Sequence, residues 1–287
     1  MRLKAPRRGN TVVGNKDFVW GVRTYVMGVL NVTPDSFSRD GVGNDAAAAV
    51  EQALRFQEAG ADIVDVGGES TRPPSIYLGA GPITAGEEIV RVVPVIEALV
   101  DVLDIPISVD TYKAEVARRA VAAGAAMIND QWALRRDPEM AGVAAEAGVP
   151  VVLMHNQEST GYDDLVPDVI DELQRAVDRA VDAGIALEDV IVDPGMGFGK
   201  TAEQNLELLR RLDELEVLGR PILVGMSRKS TIGLVLDLPV DERVEGTAAT
   251  VAFSIAAGAD VVRVHDVKEM IRVARMSDAI ARGWSQG

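Results

Sequence analysis

The sequence predicts an α/β protein, a (β/α)8 TIM barrel with a short N-terminal hairpin closing the barrel bottom. Three observations carry this prediction. From residue 25 onward, short Val- and Ile-rich runs alternate with longer stretches of helical periodicity, the pattern of repeated βα units on a parallel sheet. Eight such runs are present, the number that a closed barrel needs. The joins also resemble one another: Glu58-Ala-Gly-Ala-Asp62, Ala122-Ala-Gly-Ala-Ala126, Glu146-Ala-Gly-Val149 and Ala256-Ala-Gly-Ala-Asp260 each place a glycine where a helix ends and a buried strand begins. A left-handed helix cap requires that residue there.

Taken in order, the segment 1–24 holds two short apolar runs between Thr11 and Trp20, read as the hairpin. Residues 25–287 are expected to form a single catalytic barrel domain. Its strands are expected at Tyr25–Leu30, Ile63–Val66, Pro106–Val109, Met127–Asn129, Val151–Met154, Val190–Val192, Ile222–Gly225 and Val261–Val264. Helices are expected between and after them, among them Ala46–Ala59, Leu165–Ala183, Ala202–Leu215 and Val267–Arg282. A barrel of this kind uses about 250 residues as one domain, so 287 residues with 47% hydrophobic content suffice for its core. The rival architecture, a six-stranded doubly wound sheet, leaves two of these strands unexplained, and no Gly-x-Gly-x-x-Gly turn follows the first.

Composition narrows the function classes. A net charge of −15 repels the phosphates of nucleic acids and anionic membranes, so neither is an expected partner. With no cysteine in the chain, disulfides, thiol nucleophiles and Cys-ligated zinc are excluded. No run of 18 or more apolar residues appears, and no apolar segment follows the basic N-terminus, which predicts a soluble cytoplasmic protein.

Active sites of such barrels are built at the C-terminal ends of the strands. The first polar residues there are Asn31, Asp65 with Glu69, Asp110, Asn129 with Asp130, His155 with Asn156, Asp193, Ser227 with Arg228 and Lys229, and Arg263 with His265. They divide by chemistry. Asp110, Asn129, Asp193 and Lys229 suit a planar heterocycle with amidine-like N–H edges, where charge-assisted bonds contribute about 1.5–3 kcal/mol each. Arg263 and His265, with Asn31 and Arg72, suit a phosphate or diphosphate near the loops after the seventh and eighth strands. No His-x-His or His-Glu-x-x-His spacing is present, which argues against caged zinc. Mg2+ held mainly by substrate phosphates and one side-chain oxygen, that of Asn31, fits the donor set. Two loops, Thr33-Pro-Asp-Ser-Phe37 and the stretch from Gly67 to Pro82, have the length and composition of covers that exclude water.

Across nearly the whole chain from Val26, the sequence resembles dihydropteroate synthase. The resemblance rests on Asn31-Val-Thr-Pro-Asp-Ser-Phe37, Asp65-Val-Gly-Gly-Glu-Ser-Thr-Arg-Pro73, Ser108-Val-Asp-Thr111, Ile128-Asn-Asp130, Leu153-Met-His155, Asp193-Pro-Gly-Met-Gly-Phe-Gly-Lys200, Ser227-Arg-Lys-Ser230 and Arg263-Val-His265, in that order. It implies condensation of a dihydropterin methyl diphosphate with 4-aminobenzoate, with Mg2+ and by a dissociative mechanism, in a homodimer. By position in the motifs, Asp110, Asn129, Asp193 and Lys229 would bind the pterin, with Met154 and Phe198 as apolar walls. Asn31, Arg263 and His265 would bind the diphosphate, Asn31 also touching the metal. Thr71, Arg72, Ser230 and the loop Thr33, Pro34, Asp35, Ser36 and Phe37 would shape the aminobenzoate pocket, and Ser227 and Arg228 would also bind substrate. Asp110, Lys229, Arg263 and His265 would carry the chemistry, and sulfonamides are expected competitors. Three departures from the family pattern concern loops: the extension Pro74-Ser-Ile-Tyr-Leu78, Thr231 in a position commonly aromatic, and Ala133-Leu134 in place of a glycine-containing turn. Two other readings share the barrel, a methyltetrahydrofolate corrinoid methyltransferase and a non-catalytic folate-pathway partner. The first has no use for a diphosphate site, and the second predicts lost site residues.

Overall fold

The computed structural model describes residues 9–32, 46–69 and 82–284. The described residues open with an antiparallel hairpin, β1 (Asn10–Val13) and β2 (Lys16–Val19). Eight parallel strands follow: β3 (Tyr25–Asn31), β4 (Ile63–Gly67), β5 (Ile107–Asp110), β6 (Met127–Asp130), β7 (Val151–Met154), β8 (Val190–Asp193), β9 (Leu223–Val224) and β10 (Val261–Val264). They neighbour one another in the order β8-β7-β6-β5-β4-β3-β10-β9. A parallel bridge from Val192 to Ile222 joins β8 to the start of β9, so the sheet closes on itself. That closure rules out the doubly wound sheet, which keeps two open edges.

Helices α1 (Ala46–Ala59), α2 (Ala85–Val100), α3 (Ala114–Ala122), α4 (Met140–Ala147), α5 (Leu165–Asp182) and α6 (Ala202–Arg210) lie between the strands. Two helices, α7 (Ser230–Leu236) and α8 (Val244–Ala256), fall between β9 and β10, and α9 (Val267–Ala281) ends the described chain. At the four repeated joins the glycines take the expected left-handed conformation, with φ of +100° at Gly60, +112° at Gly124, +62° at Gly148 and +100° at Gly258. No helix among the described residues is long and apolar enough to cross a membrane.

Five strands run one residue beyond the expected end, to Asn31, Gly67, Asp110, Asp130 and Asp193. The apolar run stops there, but the backbone ladder does not: Gly67 still pairs with Asn31 and Asp110, and Asp193 with Met154. The expected helix Ala202–Leu215 ends instead at Arg210, where Arg211 leaves helical geometry (φ −110°, ψ 20°) and a 3-10 segment, Leu212–Leu218, carries on.

The strands alternate between two cores. Outward residues such as Val64, Val66, Ile107, Val109, Ile128, Leu153 and Val192 pack under the helices. Inward residues Met27, Ile63, Met127, Val152, Ile191, Leu223 and Val261 form a separate apolar layer with Val13, Phe18 and Trp20 of the hairpin region. The rings of Phe18, Trp20 and Tyr25 lie 4.6–5.8 Å apart. Trp20 Nε1 donates to Thr11 Oγ1 at 2.9 Å, and that hydroxyl donates to the Glu188 carbonyl at 2.5 Å. The hairpin is therefore a plug, sealing the N-terminal end of the barrel. Two residues further along the same inward registers the chemistry changes, because Ile63 is followed by Asp65, Met127 by Asn129, Ile191 by Asp193 and Val261 by Arg263. Period two places all four inside the barrel, one layer nearer its C-terminal rim.

Candidate active site

β10 sends Arg263 across the mouth of the barrel. Its Nε donates to Asp65 Oδ2 at 2.6 Å and its Nη2 to Asp110 Oδ2 at 2.6 Å. Asp65 is fully buried and also accepts from Asn129 Nδ2 at 3.0 Å, while Gln131 Nε2 donates to Asp110 Oδ1. Burial opposes the charge of Arg263, but Asp65 and Asp110 overrule it and raise its pKa still further. Burial likewise lifts the Asp110 carboxyl above the usual range; Arg263 opposes the shift and the Asp65 carboxylate adds to it. One rigid guanidinium fork thus holds the ends of β4 and β5 in a fixed relation.

On the other side, Asp193 closes β8. Its Oδ1 accepts from the Gly195 backbone N–H at 2.7 Å, and burial holds its carboxyl above the usual range, with Lys229 the largest opposing influence. Lys229 follows β9 in extended conformation. Its ammonium donates to the Met196 carbonyl and sits 4.5 Å from the Phe198 ring centroid, a cation–π contact. Burial pushes it down to about 8, while Asp193 favours its charge. Met154, the inward residue ending β7, is buried. His265, one inward step beyond Arg263, has Nδ1 3.0 Å from Ser227 Oγ, and its backbone N–H donates to the same oxygen at 3.1 Å. A Cβ added to Gly67 would lie 3.5 Å from Asp110 Cβ and 3.8 Å from Asn31 Oδ1, so the glycine keeps the space between Asn31 and Asp110 clear.

One rim thus holds Asn31, Asp110, Asn129, Met154, Asp193, Phe198, Ser227, Lys229, Arg263 and His265. Arg263, expected in the anion-recognising set, is in direct contact with Asp110 of the ring-recognising set. Two of its three nitrogens, Nε and Nη2, are engaged by Asp65 and Asp110, because the inward register of β10 aims it across the barrel. Arg228 differs as well: its Nε donates to Asp266 Oδ2 at 2.9 Å, its Nη2 bonds the same carboxylate, and its left-handed backbone (φ +57°) is tied to Thr247. Ser230 opens α7 and is exposed. Thr33, Pro34, Asp35, Ser36, Phe37, Thr71, Arg72 and the extension Pro74–Leu78 lie outside the described residues.

The two remaining departures have local explanations. Ala133 and Leu134 both adopt positive φ, +51° and +63°, and the Asp130 carboxylate holds them there by accepting from the backbones of Trp132 at 2.8 Å and Leu134 at 2.6 Å. Thr231 is buried and accepts from Asn205 Nδ2 at 3.1 Å; Asn205 Oδ1 in turn accepts from the Gly197 N–H at 2.6 Å. Sequence reasoning gave no role to Asp65, although a carboxylate in the inward register of an apolar strand signals one. It passed over Gln131, Lys200 and Asn205, whose partners are 21, 45 and 26 residues away and leave no periodic trace.

With this geometry in place, the likeness to known proteins is direct. The sequence profile of the family described as pterin binding enzyme matches residues 27–265. A dihydropteroate synthase of Clostridium beijerinckii is 52% identical over 271 residues, covering 94% of this chain and 99% of that one; a Bacillus subtilis dihydropteroate synthase is 51% identical over 258 residues, covering 90% and 89%. Among solved structures, a dihydropteroate synthase of Clostridium difficile in the presence of pteroic acid superposes with a TM-score of 0.88 at 50% identity, covering 92% of this chain and 98% of that one. One from Xanthomonas albilineans with 4-aminobenzoic acid gives 0.88 at 43% identity, with 94% and 97% covered. The chain belongs to the pterin-binding enzymes and, within them, to the dihydropteroate synthases.

Proposed function

We propose that the chain condenses (7,8-dihydropterin-6-yl)methyl diphosphate with 4-aminobenzoate, yielding 7,8-dihydropteroate and diphosphate, a step of folate biosynthesis. The observation that carries this reading is the meeting of Asp110, Asn129, Asp193 and Lys229 with Arg263 and His265 at one rim. In this reading Asp193 and Asn129 take the N–H edges of the pterin, Lys229 donates to its acceptor edge, and Met154 and Phe198 flank the ring. Arg263 Nη1 and His265 face the diphosphate. Breaking the C–O bond moves the electron pair onto diphosphate, where Arg263 and His265 stabilise it, while the buried carboxylates of Asp110 and Asp193 favour the cationic methylene left behind. The amine of 4-aminobenzoate then forms the C–N bond and loses its proton to water. An aniline nitrogen is a free nucleophile near neutral pH, so no strong general base is required.

The residues fit Mg2+ shared with the substrate. Among the described residues no three carboxylate or imidazole groups converge to cage an ion, whereas Asn31 offers an oxygen beside the open space at Gly67. One protein oxygen completed by diphosphate and water is a common magnesium environment. When bound there, the ion would supply charge neutralisation to the leaving group.

We also place the protein in the cytoplasm and read it as a homodimer. Leu234 (73% exposed), Val235 and Leu236 on α7, Phe253 (64%) on α8 and Ile280 (75%) on α9 leave an apolar surface on neighbouring helices, of the kind that marks an interface. Sulfonamides, which resemble 4-aminobenzoate in shape and charge, are expected to compete with it.

The purified chain, given the dihydropterin diphosphate, 4-aminobenzoate and Mg2+, is expected to release diphosphate only when both organic substrates are present. Release no faster than the blank would overturn the reading.

A further inference from the structure

Lys200 is a buried lysine, 9% exposed, with no substrate role in the reading above. Its Nζ lies 2.9 Å from His155 Nδ1, 3.1 Å from the Gly195 carbonyl and 3.1 Å from the Phe198 carbonyl. Three acceptors match the three N–H bonds of an ammonium, and a neutral amine could serve only two of them. Burial pushes Lys200 down to about 7; the Asp193 carboxylate opposes the shift and the Lys229 charge adds to it. Burial and the neighbouring Lys200 charge push His155 down to about 3, so its ring is neutral and its Nδ1 is available to accept.

The segment that Lys200 holds is the glycine turn that builds one wall of the site. Gly195 donates to Asp193, Met196 supplies the carbonyl that takes Lys229, and Phe198 carries the ring beneath it. The turn has little intrinsic stability, since Gly195, Gly197 and Gly199 all adopt positive φ. It is also pressed against its neighbour: a Cβ on Gly195 would fall 1.8 Å from the His155 carbonyl oxygen. Without a central donor, the Phe198 carbonyl would lose its donor and the Gly195 carbonyl would keep the Phe198 N–H at 3.1 Å but lose its tie to Lys200, so the turn would relax.

We propose that Lys200 is a positioning residue for pterin recognition, pinning the 195–199 turn through the Gly195 and Phe198 carbonyls so that Asp193, Lys229 and Phe198 keep their mutual geometry. The proposal rests on the pterin assignment of Asp193. Lys200→Met keeps the apolar stem and deletes all three donors. By calorimetry with 6-hydroxymethylpterin it is expected to bind at least tenfold more weakly than the wild-type chain, while the KM for 4-aminobenzoate stays within twofold. The chain has no cysteine, so Lys200→Cys can be alkylated with bromoethylamine in denaturant and refolded, restoring an ammonium at nearly the native reach. This product is expected to bind within threefold of wild-type chain taken through the same cycle. Pterin affinity within twofold of wild type for Lys200→Met, equal losses for both substrates, or no recovery on aminoethylation overturns the proposal. Failure of the wild-type chain itself to bind the pterin would instead overturn the reading of the site.

Discussion

Asp65 shows how one residue can serve a site without facing its ligand. It is fully buried and takes Arg263 at 2.6 Å and Asn129 at 3.0 Å, and among the described residues its Oδ1 has no partner. Removing one partner of a buried pair strands the other, at about 3–5 kcal/mol. Asp65→Asn is therefore expected to lower unfolding stability in urea by about 3 kcal/mol; a loss under about 1 kcal/mol would mean that Asp110 alone compensates Arg263. The same pairing predicts that Arg263→Ala weakens the binding of a phosphate-free pterin as well as that of diphosphate, since Asp110 loses its cation. His155 supplies a pH signature. Its folded pKa is pushed down to about 3, below its unfolded value, so between the two the unfolded chain binds the extra proton and stability falls as pH falls. Acidifying from pH 7 to 5 is expected to cost about 2 kcal/mol through this one group. Over that range Lys200, pushed down to about 7, completes its protonation in the folded chain only and contributes with the opposite sign. His155→Gln keeps an acceptor for Lys200 but cannot titrate, so the difference between the two proteins isolates His155: equal slopes of stability against pH would refute the assignment.

Among the elements, the hairpin contributes more than its eight strand residues suggest. Phe18, Trp20 and Tyr25 close the layer made by Met27, Ile63, Met127, Val152, Ile191, Leu223 and Val261, and the bond from Thr11 to the Glu188 carbonyl fastens it beneath β8. A barrel interior is a packed core rather than a pore, and this plug keeps water out from below. Phe18→Ala is expected to destabilise the fold by about 3–5 kcal/mol. Because the site lies in the next layer toward the rim, its pterin affinity below the melting temperature should stay within threefold, as calorimetry would read it. A large affinity loss without a stability loss would contradict the plug role.

For the whole molecule, the net charge of −15 makes two copies repel at long range, so association requires apolar contact strong enough to overcome it at physiological ionic strength. The surface of Leu234, Val235, Leu236, Phe253 and Ile280 offers that contact. Phe253→Asp, which adds a charge to it, is expected to convert a dimer to a monomer in sedimentation velocity. A wild-type chain that sediments as a monomer at micromolar concentration would remove the proposal. At the rim Arg263 and Lys229 stand among three inward carboxylates, so on the proposed reading the field that meets an anionic substrate is set by a few buried pairs rather than by the surface.

The architecture and most of the rim were legible in the sequence because they depend on short-range patterns. Strand alternation, the glycines that end helices and the polar residue ending each apolar run are set by steric and burial rules acting over a few residues. The same rules aligned Ile63 with Asp65 and Val261 with Arg263. What only the tertiary structure decided is which of these groups meet. Arg263 bonds Asp65 and Asp110 across 198 and 153 residues, and Lys200 reaches His155 across 45. Closing the barrel, rather than any local preference, brings those atoms within hydrogen-bonding distance in a buried space where unpaired charge is too costly to persist. Charge and hydrogen-bonding capacity are properties of single residues, but their partners are fixed by closure of the sheet.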